Sequence, residues 1–215
     1  MNRFLQRIRT AGPPTPYLRQ CRNTALLLLL GIGLGILAKY LDVVPRNELP
    51  DLISALDVGN FLGRFAPWVV FGLGISLASR SPVRAAVNVF VFFVGMVAGY
   101  YGYSSLAAGF FPRHYAMIWV AFTLVSPLLA GICWYAKGNG APALVLSSLL
   151  LAVLFNMTFV YGIGYFEPRS FLELLCFLGG VVLLNRTTLK KTLLMAAASV
   201  GIALALDQII PFHFG

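Results

Sequence analysis

The chain has 215 residues, of which 16 are Lys or Arg and 7 are Asp or Glu, giving a formal net charge of +9. Its hydrophobic fraction is 59%, its charged fraction 11% and its mean hydropathy +0.84, whereas an ordinary soluble domain is roughly 25% charged. A soluble globule of this size could not cover such a chain with polar surface, which excludes a cytosolic enzyme, a disordered chain and a disulfide-stapled secreted module.

Residues 1–23 read as a basic cytoplasmic segment. Phe4, Leu5 and Ile8 share one side of a short amphipathic helix, and Arg3, Arg7 and Arg9 lie toward phosphate headgroups. Pro13, Pro14 and Pro16 break any continuation. Arg19 and Arg22 precede the first apolar run, 24–41, which is long for a secretory h-region and ends without a small-x-small cleavage site. An uncleaved signal-anchor is therefore predicted. Residues 24–215 form the transmembrane domain. Further apolar runs at 61–79, 83–103, 115–135, 142–165, 170–185 and 192–210 bring the expected spans to seven, each needing about 20 apolar residues. The sixth is the shortest. Loop 42–60 is the one long connection, and its amphipathic stretch 51–56 suits the membrane interface. Pro67 and Pro127 fall inside runs and predict kinks. The expected fold is an all-α, polytopic membrane helix bundle: one leading helix followed by three hairpins.

Charge sets the orientation. With the N-terminus inside, Arg3, Arg7, Arg9, Arg19, Arg22, Arg80, Arg84, Lys137, Arg186, Lys190 and Lys191 face the cytoplasm, and only Lys39, Arg46, Arg64, Arg113 and Arg169 lie outside. Eleven bases against five obey the positive-inside bias. All seven acids fall on the outer half, and the C-terminus lies outside. The three inner turns also look alike: Gly74, Gly131 and Gly180 each precede a base by six residues, at Arg80, Lys137 and Arg186. Such repetition suits a pseudo-symmetric bundle.

The stretch Ser79-Arg80-Ser81-Pro82-Val83-Arg84-Ala85-Ala86-Val87-Asn88-Val89-Phe90, with Phe93-Val94-Gly95-Met96 and Tyr100-Tyr101 beyond it, carries a resemblance. It resembles an uncharacterised family of small multi-pass bacterial membrane proteins, common in Gram-positive anaerobes, with the pattern Ser-Lys/Arg-Ser-Pro-x-Arg-Ala-Ala-x-Asn-Val-Phe. A second stretch, from Ser126-Pro127-Leu128 to Trp134-Tyr135-Ala136-Lys137-Gly138, is similar to the same family. The resemblance implies a bacterial inner-membrane protein and no particular activity.

Several side chains are candidates for function. Ser81 is placed to cap the third span and Pro82 to begin it. Arg84 and Asn88 lie four apart on one face, and Arg80, Arg186, Lys190 and Lys191 are expected to converge near them on anionic lipid headgroups or a partner. Polar groups inside spans are costly and mark adhesion or binding. Arg64, Glu173 and Asp207 lie near the outer ends of their spans and either snorkel to the interface or, with Asn156, form an outward-facing site for a small polar molecule in which Arg64 meets Glu173 or Asp207. Trp68, Trp119 and Trp134 suit its walls or, more commonly, an interfacial belt. Gly31 with Gly35, and Gly95 with Gly99, make small-xxx-small pairs for helix packing, or for docking a membrane protein or a second copy.

Absences narrow the chemistry. The only histidines, His114 and His213, sit near the outer boundary, so neither a metal site nor a cofactor is expected. No lysine lies mid-span to hold a retinal Schiff base, and there is no Gly-x-Ser-x-Gly and no P-loop. Cys21, Cys133 and Cys176 are an odd, scattered set that predicts no structural disulfide. The basic charge is explained by membrane topology, so nucleic acid is not implied. The leading reading is a protein that binds or transports a small molecule, as a transporter or a substrate-binding subunit. The alternative is a non-catalytic scaffold or signalling partner of another membrane protein. An intramembrane lipid enzyme would have only Glu173, Asp207 and His114 for acid–base work.

Overall fold

A computed structural model describes residues 3–107, 109 and 111–209; His213 lies outside these residues. The chain folds as an all-α bundle. After α1 (Arg3–Ile8) come α2 (Tyr17–Val43), the short outer helices α3 (Asp51–Ala55) and α4 (Val58–Gly63), α5 (Phe65–Ala78), α6 (Pro82–Ala107), α7 (Arg113–Ala136) and α8 (Gly140–Thr158). A two-stranded antiparallel hairpin follows, β1 (Phe159–Gly162) with β2 (Tyr165–Pro168), then α9 (Phe171–Leu184) and α10 (Leu189–Ile209).

Five helices, α2, α6, α7, α8 and α10, are long and apolar enough to cross a membrane. The two others, α5 and α9, have 14 residues each, about 21 Å of helix against a hydrocarbon core of about 30 Å. The second predicted run is broken at Arg64: residues 61–63 end α4, and α5 begins at Phe65. The fifth ends at Thr158, because Phe159, Val160 and Tyr161 pair as a strand with residues 166–168 across the Ile163-Gly164 turn. β-Branched and aromatic residues followed by Gly-Ile-Gly favour a hairpin over a continued helix.

Further corrections concern single residues. The first long helix begins at Tyr17, immediately after Pro16 and ahead of the apolar run 24–41. Pro67 lies in the first turn of α5, where proline breaks no helical hydrogen bond, and only Pro127 is interior to its helix. Trp68, Trp119 and Trp134 are all buried rather than arranged as a belt. Two of them, Trp68 and Trp119, meet edge to face with Phe92 in one core cluster. Ile8 is buried against Ala85, Val89, Trp134 and Tyr135, and Arg9, expected toward the headgroups, turns into the bundle to the Leu77 and Trp134 carbonyls. Ser81 and Pro82 behave as read: α6 starts at Pro82, and the Arg84 N–H donates to Ser81 Oγ at 3.2 Å.

The short helix α5 is central and touches α6, α7, α8 and α9. On one side α2 packs along α6; on the other α8 holds α9 and α10. The α2–α6 contact is made by glycine. A Cβ at Gly31 would collide with Phe92 O, at Gly35 with Met96 O, at Gly95 with Leu28 O and at Gly99 with Ile32 O. The two small-xxx-small pairs therefore face each other, and the backbones touch. The repeated turn glycines share no such role: only Gly180 is tightly packed, against Leu154, whereas Gly131 has open space where a Cβ would lie.

Because backbone atoms cannot yield as a side-chain tip can, Gly35→Val and Gly99→Val should each destabilise the chain by about 1–3 kcal/mol. Gly131→Ala, at an open position, should be close to neutral. Thermal unfolding of the purified chain in mild detergent checks all three.

Candidate functional site

The polar side chains gather at the two ends of the bundle. At the acidic end the starts of the two short helices meet. Arg64 precedes the first residue of α5, and Glu173 lies in the first turn of α9. Arg64 Nη1 donates to Glu173 Oε1 at 2.5 Å, with the carboxylate fully buried and the guanidinium about one-third exposed. Ser170 Oγ donates to the other carboxylate oxygen and accepts the N–H groups of Leu172 and Glu173. Thr158 Oγ1 donates to Glu173 O at 3.1 Å, and Arg169 N donates to Thr158 O at 2.8 Å, which ties the ends of the hairpin to the site. A carboxylate in the first turn also suits the positive end of a helix dipole.

Asn156 does not join this pair. Its Nδ2 donates to Ala203 O at 3.0 Å and its Oδ1 accepts from Tyr161 OH at 3.0 Å, so it clamps α8 to α10. Burial first, and the carboxylate of Asp207 second, push the Tyr161 phenol up. Among the described residues, the predicted outward-facing cluster is therefore two clusters, Arg64 with Glu173 and Asn156 with Tyr161. A third polar group ties α2 to α6: Lys39, only 4% exposed, pairs with Asp42 at 2.6 Å, and Tyr100 OH donates to the same carboxylate at 3.2 Å.

At the basic end, cations meet the C-terminal carbonyls of three helices, where the dipole is negative. Arg9 reaches Leu77 O of α5 at 3.0 Å and Trp134 O of α7 at 2.6 Å, and its guanidinium stacks 4.2 Å from the Trp134 ring centroid. Arg186 donates to Ala136 O at 2.8 Å and Gly138 O at 3.2 Å. Lys137 donates in return to Leu183 O at 2.7 Å and to Asn185 O and Oδ1. Burial, then Arg186 and Arg9, lowers the Lys137 pKa. The N-terminal segment is bolted on by Asn139 N to Ile8 O at 2.7 Å and Gly12 N to Arg80 O at 2.9 Å.

The expected convergence of bases is therefore divided. Arg186 serves the α7–α9 junction, and Lys190 and Lys191 are exposed at the start of α10. Arg80 and Arg84 belong to a different group. Arg84 Nη2 donates to Thr24 Oγ1 at 2.5 Å, Asn88 Oδ1 at 2.9 Å and Gln20 O at 3.4 Å. Thr24 donates to Asn88 Oδ1, and Asn88 Nδ2 donates to Ser79 Oγ. Beside this network runs an open groove of about 550 Å³ between α2 and the α5–α6 turn.

Sequence reasoning missed the roles of Arg9, Ser170, Thr158, Tyr161 and Thr24 and the Lys39–Asp42–Tyr100 group. Ser170 and Glu173 form a Ser-x-x-Glu capping box, a readable helix-start signal. Nothing local marks Arg9 or Thr158. Comparison with protein-family models, with curated proteins and with solved structures finds no match to this chain.

Arg64→Met should cost about 3–5 kcal/mol, because it strands a buried carboxylate, whereas Arg64→Met with Glu173→Met should recover most of that loss. Arg9→Ala removes two charge-assisted bonds and should cost about 1.5–3 kcal/mol. Unfolding in detergent reports both, and limited proteolysis should cut the Arg9→Ala chain earlier within residues 1–16.

Proposed function

We infer that this chain is a non-catalytic membrane protein of seven crossings that works by associating with another membrane protein or a second copy, rather than by carrying a solute. The observation that carries the reading is the engagement of Glu173 and Asn156, the expected solute-binding groups, by other parts of the protein. A solute site needs polar groups left for the solute. Here Glu173 is fully buried and shared between Arg64 and Ser170, and Asn156 is taken up by Ala203 O and Tyr161. These residues act as clamps between helices.

Seven crossings count α5 and α9 with the five long helices. Their shortness is compatible with crossing because both are packed within the bundle, and α4 and the β-hairpin adjoin their outer ends. The basic bias places the N-terminus in the cytoplasm and the C-terminus outside. The resemblance of residues 79–90 favours the inner membrane of a bacterium.

Two measurements test the reading. Single cysteines at positions 2 and 215, in a cysteine-free chain, should label from opposite sides: 215 in intact cells, 2 only after lysis. Labelling of both from one side removes a crossing. Extraction in native-lipid discs, with cross-linking beforehand, should yield a defined assembly larger than the monomer. A monomer stabilised by a small polar solute, with that effect abolished by Arg64→Met/Glu173→Met, would return the function to solute binding.

A further inference from the structure

We propose that the groove between α2 and the α5–α6 turn is a binding site for one anionic glycerophospholipid of the leaflet at the basic end. Its mouth carries three guanidinium groups, Arg19, Arg80 and Arg84, together with Gln20 and Asn23. No carboxylate lines it; the chain's acids lie along the sequence at Asp42 to Asp57, Glu167, Glu173 and Asp207, in segments at the other end of the helices. Arg84 spends only Nη2 on the protein, and Arg80 gives Nη1 to Pro13 O. Neither forms an ion pair among the described residues, and Arg19 is exposed. Three convergent cations with no protein anion are complementary to a phosphodiester.

The other half of the groove selects a lipid over a free anion. Below the arginines its walls become apolar. Leu26 and Leu30 of α2 lie one turn apart, and Gly74 and Ala78 of α5 face the groove with almost no side chain. From Arg19 to Leu30 the groove follows about 16 Å of α2. Leu26 is 57% exposed and Leu30 46% exposed, so the apolar part opens sideways, toward the surrounding bilayer. A phosphate held at the arginines thus has a slot for an acyl chain leading away from it. Gly74, singled out by the repeated turns, lines the groove, and a Cβ there would have only Leu183 Cδ1 nearby, at 3.9 Å, so a larger side chain has room at the groove wall. The inference stands apart from the association reading, because the groove residues take no part in the outer clamps.

The full chain, purified in a non-ionic detergent, would be exchanged against phosphatidylglycerol or phosphatidylcholine with the same acyl chains and examined by native mass spectrometry. One phosphatidylglycerol per chain should be retained in preference to phosphatidylcholine. Arg19→Gln, at an exposed position, should weaken retention about fivefold, and Arg19→Gln with Arg80→Gln about twenty-fivefold. Gly74→Leu should lose the lipid while melting near the parent temperature. Lys190→Gln with Lys191→Gln, which removes two bases away from the groove, should retain it unchanged. Equal retention of the two lipids, indifference to the arginine variants, or loss on the Lys190/Lys191 change as large as on the arginine changes would overturn the site. Displacement of the lipid by millimolar inorganic phosphate would assign the mouth to a soluble anion, and persistence of binding in Gly74→Leu would remove the acyl slot.

Discussion

The arrangement depends on one buried ion pair. Two helices too short to match a bilayer on their own, α5 and α9, stand side by side with their N-termini at the same end. Parallel helix starts repel through their dipoles, and Arg64 at the head of α5 adds a charge of the wrong sign. Glu173 answers both, because it sits in the first turn of α9 and faces Arg64. A lone carboxylate so buried would cost several kcal/mol. Arg64, Ser170 and the backbone at the α9 start share that cost. The hairpin between α8 and α9 follows from the same constraint: it brings the chain out and back so that Ser170 and Glu173 start α9 beside Arg64.

At the opposite end the basic residues hold the bundle together. A helix terminus buried in a bundle must find partners for its last carbonyls. Arg9, Lys137 and Arg186 supply them for α5, α7 and α9, with Lys137 and Arg186 serving each other's helices. Like the outer ion pair, these contacts join helices distant in sequence. The N-terminal segment thereby becomes a closure over the α5–α7 junction, with Ile8 in the core and Arg9 on the carbonyls. The ionic contacts thus lie at both ends, while the interior between them is packed by leucine, phenylalanine and glycine with buried serines. Tyr101 OH, Ser148 Oγ and Arg169 Nε have no hydrogen-bond partner among the described residues.

Lipid tails are as apolar as leucine, so helix contact inside a membrane gains from close approach rather than from burial of oily surface. Gly31 and Gly35 against the backbone of Phe92 and Met96, and Gly95 and Gly99 against that of Leu28 and Ile32, draw α2 onto α6. The Lys39–Asp42–Tyr100 group secures that pair at one end and the Thr24–Arg84–Asn88 group at the other. The groove exists because α2, held so firmly to α6, stands off from α5, whose wall there is Gly74 and Ala78.

Membrane character, the helical class and the position of each apolar helix were legible in the residues, because a bilayer demands long apolar runs with internally paired backbone. Ser81 and Pro82 announced the start of α6 for an equally local reason. What local pattern could not supply was partnership. Hydropathy does not tell a 14-residue helix inside a bundle from a longer span, nor a run that ends in a strand pair from one that continues. Arg64 and Glu173 are 109 residues apart, and Arg9 and Trp134 are 125 apart. Whether polar groups at such distances face a solute, lipid or one another is decided by which helices become neighbours. That choice rests on the summed packing of all the helices, and only the tertiary structure contains it.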